Sequence, residues 1–174
     1  RLIFDIHDEV DGLAGATKAR EKIAATASEY LDKLSPDAAS DPDLAWELVN
    51  AYFRLGKARG GATSSSGKTK SALEFANRVL KLAPPLLNAQ PPLSAERLDR
   101  LFVIYDELTV LFHEHRQKPE ELACVQQLLT LATRLGDFRQ AQALNSSARY
   151  HDANTSVARA VEDVERAVAL LRRN

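Results

Sequence analysis

Ala62 to Thr69 read ATSSSGKT, a spacing close to that of a loop that cradles phosphates. In such a loop the backbone amides wrap a β-phosphate, a lysine at the place of Lys68 reaches the γ-phosphate, and a hydroxyl at the place of Thr69 holds magnesium. The same chemistry needs a β-strand before the loop and a carboxylate after a second strand. Neither is written here. The stretch follows a helical run that closes at Gly56, its leading position is Ala62 rather than glycine, and no apolar run ends in the required aspartate. A loop leading into a helix cap is the better reading. A nucleotide-binding regulator using Gly67, Lys68 and Thr69 is the alternative.

The other reactive side chains do not assemble into a centre. His113 and His115 are two apart on a predicted helix, about 200° around its axis, so one face cannot offer both to an ion. His7 and His151 stand alone, and no His-Glu-x-x-His occurs. Ser64, Ser65 and Ser66 have neither a Gly-x-Ser-x-Gly setting nor an evident base. Protein-kinase signatures are absent, and Glu120-Glu121 and Glu162-Asp163 read as exposed helix faces. The single cysteine, Cys124, excludes an internal disulfide or a Cys-rich zinc site, and its place in LACVQQLL predicts a buried structural thiol. These readings predict no enzyme, no catalytic residue, no metal and no cofactor.

Composition narrows the partners. With 45% apolar and 27% charged residues and a net charge of -1, the 174 residues read as one folded core or a short stack of repeats. That balance gives no electrostatic case for nucleic acid or an anionic membrane surface. The cluster Lys57, Arg59, Lys68, Lys70 lacks interleaved aromatics and reads as a solvated loop. No apolar run approaches the roughly 18 to 20 residues that span a bilayer. A chain that opens at Arg1 and contains no methionine reads as a piece of a longer protein.

The elements that must position any site are helical. Ile23, Ala27, Tyr30, Leu31 and Leu34 share a face, as do Leu98, Leu101, Tyr105, Leu108 and Phe112. Leu122, Val125, Leu129, Ala132 and Leu135 repeat the pattern, and so do Val157, Val161, Val164, Val168 and Leu171. No segment alternates with a period of two. Start and stop signals predict eight helices, over 2–10, 17–34, 42–56, 69–83, 94–115, 119–135, 137–150 and 155–172. Ser40-Asp41-Pro42-Asp43 caps the third, Pro84-Pro85 ends the fourth, Ser94 caps the fifth and Pro119 sits in the first turn of the sixth.

Short connections between these segments suggest antiparallel pairs stacked as repeats. Leu48, Tyr52, Leu55 and Gly56, then Ala72, Phe75, Val79 and Pro84, resemble the two helices of a tetratricopeptide repeat. Leu135-Gly136-Asp137-Phe138 with Ala141 resembles the same turn again, in a register that overlaps a second match beginning at Tyr105. Four landmarks in residues 2–80 resemble the segment that follows the membrane span in certain bacterial serine/threonine kinases: Phe4 to Asp8, Gly15 to Arg20, Glu29 to Asp32 and Tyr52 to Gly56. Departing from that family, Ser65 to Thr69 replace an Asn-Leu-Gly-Asp-Thr turn. The resemblance implies a signalling role and, if its layout holds, a place on the extracytoplasmic side of the membrane; otherwise the segment would be cytoplasmic.

The expected fold is all-α, a right-handed α/α superhelix of stacked antiparallel helix pairs of tetratricopeptide type. It forms a single domain over 1–174: N-terminal helices over 1–35, a repeat hairpin over 42–84 with an inserted loop at 57–68, and degenerate repeats with a C-terminal helix over 94–174. The expected function is protein or peptide binding, or sensing, with a structural oligomerisation spacer as a further alternative. Carried over from the repeat family, the groove-facing positions are Asp43, Trp46, Asn50, Phe53 and Arg54, an acid, an amide, a guanidinium and two aromatics suited to an extended peptide. The competing reading has Trp46 and Phe53 packed inside against the N-terminal helices. Val103, Asp106, Val110, His113 and Glu114 are weaker equivalents on the fifth helix.

Overall fold

A computed structural model describes residues 17–59 and 66–173, with side chains over 22–57 and 70–173. The helix expected over 2–10 and the glycine turn after it lie outside the described residues. Seven α-helices account for most of the rest: α1 (Thr17–Leu34), α2 (Pro42–Arg59), α3 (Ser66–Leu82), α4 (Ala95–Glu114), α5 (Lys118–Ala132), α6 (Asp137–Asn154) and α7 (Val157–Leu171). Among the described residues there is no strand, so the fold is all-α. The chain divides into two compact units, residues 1–75 and 76–174, with the boundary inside α3.

In the first unit, the Asp41 carboxylate accepts from the amides of Asp43 and Leu44, each at 3.0 Å, so Pro42 opens α2 without losing a bond. Gly56 does not end α2 as expected. The helix runs on through Lys57 to Arg59, and α3 begins at Ser66, so helices take three residues from each end of the loop expected at 57–68. Lys, Ala and Arg are good helix formers, and Gly56 marks a close helix approach, since a Cβ there would lie 3.5 Å from that of Phe75. Tyr52 is fully buried, stacks on Phe75 at 6.2 Å, and donates its hydroxyl proton to Asp32 at 2.6 Å. One side chain thereby joins α1, α2 and α3.

The second unit is a run of antiparallel hairpins. Ser94 caps α4 by accepting from the Arg97 amide at 3.2 Å, and Ser156 caps α7. α4 ends in an unusual way. The Gln117 amide reaches the Phe112 carbonyl (2.9 Å) and the Arg116 amide reaches that of His113 (3.0 Å), a paired closure that needs a left-handed residue between them. Arg116 supplies it at φ 56°, where glycine is usual. Gly136, before α6, also has a positive φ, 90°, which glycine adopts without a Cβ penalty.

Two side-chain rungs tie one hairpin to the next. Arg139 grips Asp99 with two hydrogen bonds (2.7 and 2.8 Å), and Ser146 donates to Asp106 at 2.9 Å. Each rung spans 40 residues of sequence. Both run in the same order, so α4 and α6 lie parallel. The offset is longer than the 34 residues of a standard tetratricopeptide repeat, which explains the overlapping registers read from the sequence.

Arg116→Gly should relieve the left-handed strain and raise the unfolding free energy by about 0.5–1 kcal/mol, read from urea denaturation. Arg139→Ala should cost about 1–2 kcal/mol, and Arg139→Lys should recover only part of it, because an ammonium cannot reproduce the two-pronged bond.

Candidate functional site

The α2 residues expected to line a groove divide by burial. Trp46 and Phe53 retain 8% and 4% of their exposure, whereas Asp43 and Arg54 are at the surface and Asn50 is half-buried. The Asn50 amide donates to the Trp46 carbonyl at 2.9 Å, and the Lys57 ammonium lies 5.7 Å from the Phe53 ring centre. The aromatic anchors are thus inside the first unit, and the polar members remain outside. Among the weaker equivalents on α4, Asp106 is held by Ser146 and His113 by Glu121, while Val110 and Glu114 are exposed and Val103 is half-buried.

Of the phosphate-loop mimic, Ala62 to Ser65 lie outside the described residues, and Gly67, Lys68 and Thr69 stand in the first turn of α3. The element before it is α2, a helix. Among the described residues no group of His, Cys, Asp or Glu is arranged to hold a metal ion, and no helix is long and apolar enough to cross a membrane.

A groove that sequence reading did not reach lies in the second unit, between α5, α6 and α7. It encloses about 470 Å³. Its floor continues the apolar packing of Ala141, Leu144 and Ala167, with Leu129 and Leu170 half-buried beside them. At its rim stand Gln140, Asp163, Arg166 and Arg173. Asp163 is fixed by the Ser147 hydroxyl at 2.6 Å and lies 3.5 Å from the Arg166 guanidinium. The arrangement offers apolar contact below and charge-assisted donors above. A signal for it was present: Arg166 and Arg173 are seven apart, two turns on one helix face, and Leu170 lies between them.

The other polar feature is buried between α4 and α5. Glu121 is almost wholly enclosed and pairs with His113 Nδ1 at 2.9 Å. Nearby, burial holds the Cys124 thiol well above its ordinary pKa; a hydrogen bond with Thr109 works the other way, and Glu121 and Glu120 add to the rise. Burial likewise raises the Tyr105 phenol, with Cys124 adding to it. The Tyr105 hydroxyl is enclosed without a hydrogen-bond partner among the described residues. The Cys124 thiol is the inert, buried group the sequence predicted.

Comparisons of the chain with protein-family models, with curated proteins and with solved structures find no match.

The two raised acids set a pH limit. Well below the ordinary thiol value of 9.0 both are protonated in the folded and the unfolded chain, and neither makes stability depend on pH. Above the ordinary values of 9.0 for the thiol and 10.0 for the phenol, only the unfolded chain releases these protons, so stability falls as pH rises. Urea denaturation at rising pH should show a loss approaching about 1.4 kcal/mol per pH unit for each group. In Cys124→Ala the decline should begin about one unit later.

Proposed function

We propose that this chain is a non-catalytic helical scaffold that holds a short peptide segment in the groove between α5, α6 and α7. The groove itself carries the reading: an apolar floor beneath Leu144 and Leu170, with Arg166 and Arg173 at its edge. Such a surface suits apolar side chains followed by a carboxylate, which a guanidinium grips with two parallel bonds. The landmarks in residues 2–80 that resemble the repeat region of membrane-anchored bacterial kinases support a signalling setting, with the scaffold recruiting or sensing a partner for a kinase domain elsewhere in a longer chain. Stacked antiparallel hairpins support the coarser likeness to tetratricopeptide repeats, and the 40-residue offset marks the departure from them.

Panning the 174-residue chain against a random peptide library, then measuring the selected peptides by fluorescence anisotropy, tests the proposal. Ala169 lines the groove at an exposed position, so Ala169→Trp should fill it and weaken binding at least tenfold while the circular dichroism spectrum stays unchanged. Unaltered binding by Ala169→Trp with loss in Arg54→Ala would move the site to α2 and overturn the groove. Titration with ATP and magnesium should release no binding heat. Heat abolished by Lys68→Ala would instead establish the nucleotide-binding alternative.

A further inference from the structure

Lys118 and Val157, 39 residues apart, open α5 and α7, and the same shift carries the inner face of one helix onto that of the other. Glu121, Cys124, Leu128 and Leu131 of α5 fall on Ala160, Asp163, Ala167 and Leu170 of α7. Contacts with the preceding helix repeat as well. Cys124 meets Thr109 of α4, and Asp163 accepts from Ser147 of α6 at 2.6 Å. The α6–α7 hairpin is built on the plan of the α4–α5 hairpin, in register.

The shift also carries one outer stripe onto another, and there the two helices part. Leu122, Val125, Leu129 and Ala132 of α5 fall on Val161, Val164, Val168 and Leu171 of α7. On α5 the stripe is covered. Val125 and Ala132 retain 2% and 1% of their exposure, and Leu129 packs on the cluster that holds Ala141 and Leu144 of α6. On α7 the four equivalents are 39 to 51% exposed. A repeat that closes a stack carries a polar outer face, whereas an apolar row of this length at a surface marks an interaction site.

We infer that the valine stripe of α7 is the seat of a further helix of the same stack, set against α7 as α6 is set against α5. Its chemistry follows from α6: an amphipathic helix, antiparallel to α7, with small and apolar residues such as Ala141 and Leu144 on its contact side. Only Thr133 to Gly136 separate α5 from α6. That short turn favours an occupant joined to α7 within one chain over a helix supplied by another protein. Arg166 stands about 200° around α7 from Val164, so the seat does not depend on the groove holding a peptide.

Repeating residues 133–174 directly behind Leu171 puts a second α6 in that place. Urea denaturation followed by circular dichroism should show the added helices unfolding in one transition with the rest, at a higher midpoint than the 174-residue chain. Val161→Glu with Val168→Glu, made in the original α7 alone, should abolish that gain yet leave the midpoint of the 174-residue chain unchanged, because both residues are exposed there. An added hairpin that stays unfolded or melts separately overturns the seat, as does a gain that survives the two glutamates. An equal loss of midpoint in both chains would mean the stripe is already covered, and overturns it too. A concentration-dependent dimer of the 174-residue chain, lost with the two glutamates, would give the face to a second copy instead.

Discussion

The bidentate bond between Arg139 and Asp99 sets the geometry on which the second unit depends. It joins helices that are not neighbours in sequence, and with Ser146–Asp106 it fixes their direction as well as their distance. Seven residues separate the two rungs on each helix, so both rungs fall on the same face two turns apart. Asp99 is nearly half exposed and Arg139 is not, and the guanidinium lies 4.9 Å from the Phe102 ring centre. Partial solvent screening keeps the energy of such a pair modest. Its larger effect is on register: a one-residue slip of α6 against α4 would break both rungs and leave Ser146 buried without its acceptor.

Once α4 and α6 lie parallel, the hairpin partners α5 and α7 must lie on the other layer, and alanine decides how closely they seat. Ala141, Ala143, Ala148, Ala160 and Ala167 are all buried. Small side chains at helix contacts let backbones approach. The larger residues of the same helices must then go elsewhere, into the gaps between helices, as Leu128 and Leu131 do, or to the surface, as the α7 valines do. The groove is the remainder of that packing, lined by residues of α5, α6 and α7 around Leu144.

Much of this was legible in sequence because helix ends are local chemistry. Asp41, Ser94 and Pro119 act at the places their types predict, and α1 has the predicted bounds. What failed was non-local. Gly56 looked like a stop, but its meaning is contact with Phe75 across two helices. Arg116 carries no signal for a left-handed residue, since only the hydrogen bonds around it impose that conformation. The periodicity of Val157 to Leu171 correctly showed which residues share a face. Periodicity cannot say whether a face has a partner, and here the alanines had claimed the inner side. Trp46 and Phe53 show the same limit in reverse, because an aromatic suited to a peptide is equally suited to a core. The groove was not read because its floor comes from three helices, with Leu129 on α5, Ala141 and Leu144 on α6, and Ala167 and Leu170 on α7.

The two faces of α7 are unequal. Inward, this helix commits Ala160, Ala167, a half-buried Leu170 and the Asp163–Ser147 bond, a small apolar area for a 15-residue helix. Most of its apolar surface is on the other side. The helix forms one wall of the groove, so the alanine contacts that seat it on α6 also set where Asp163, Arg166 and Leu170 stand over the floor.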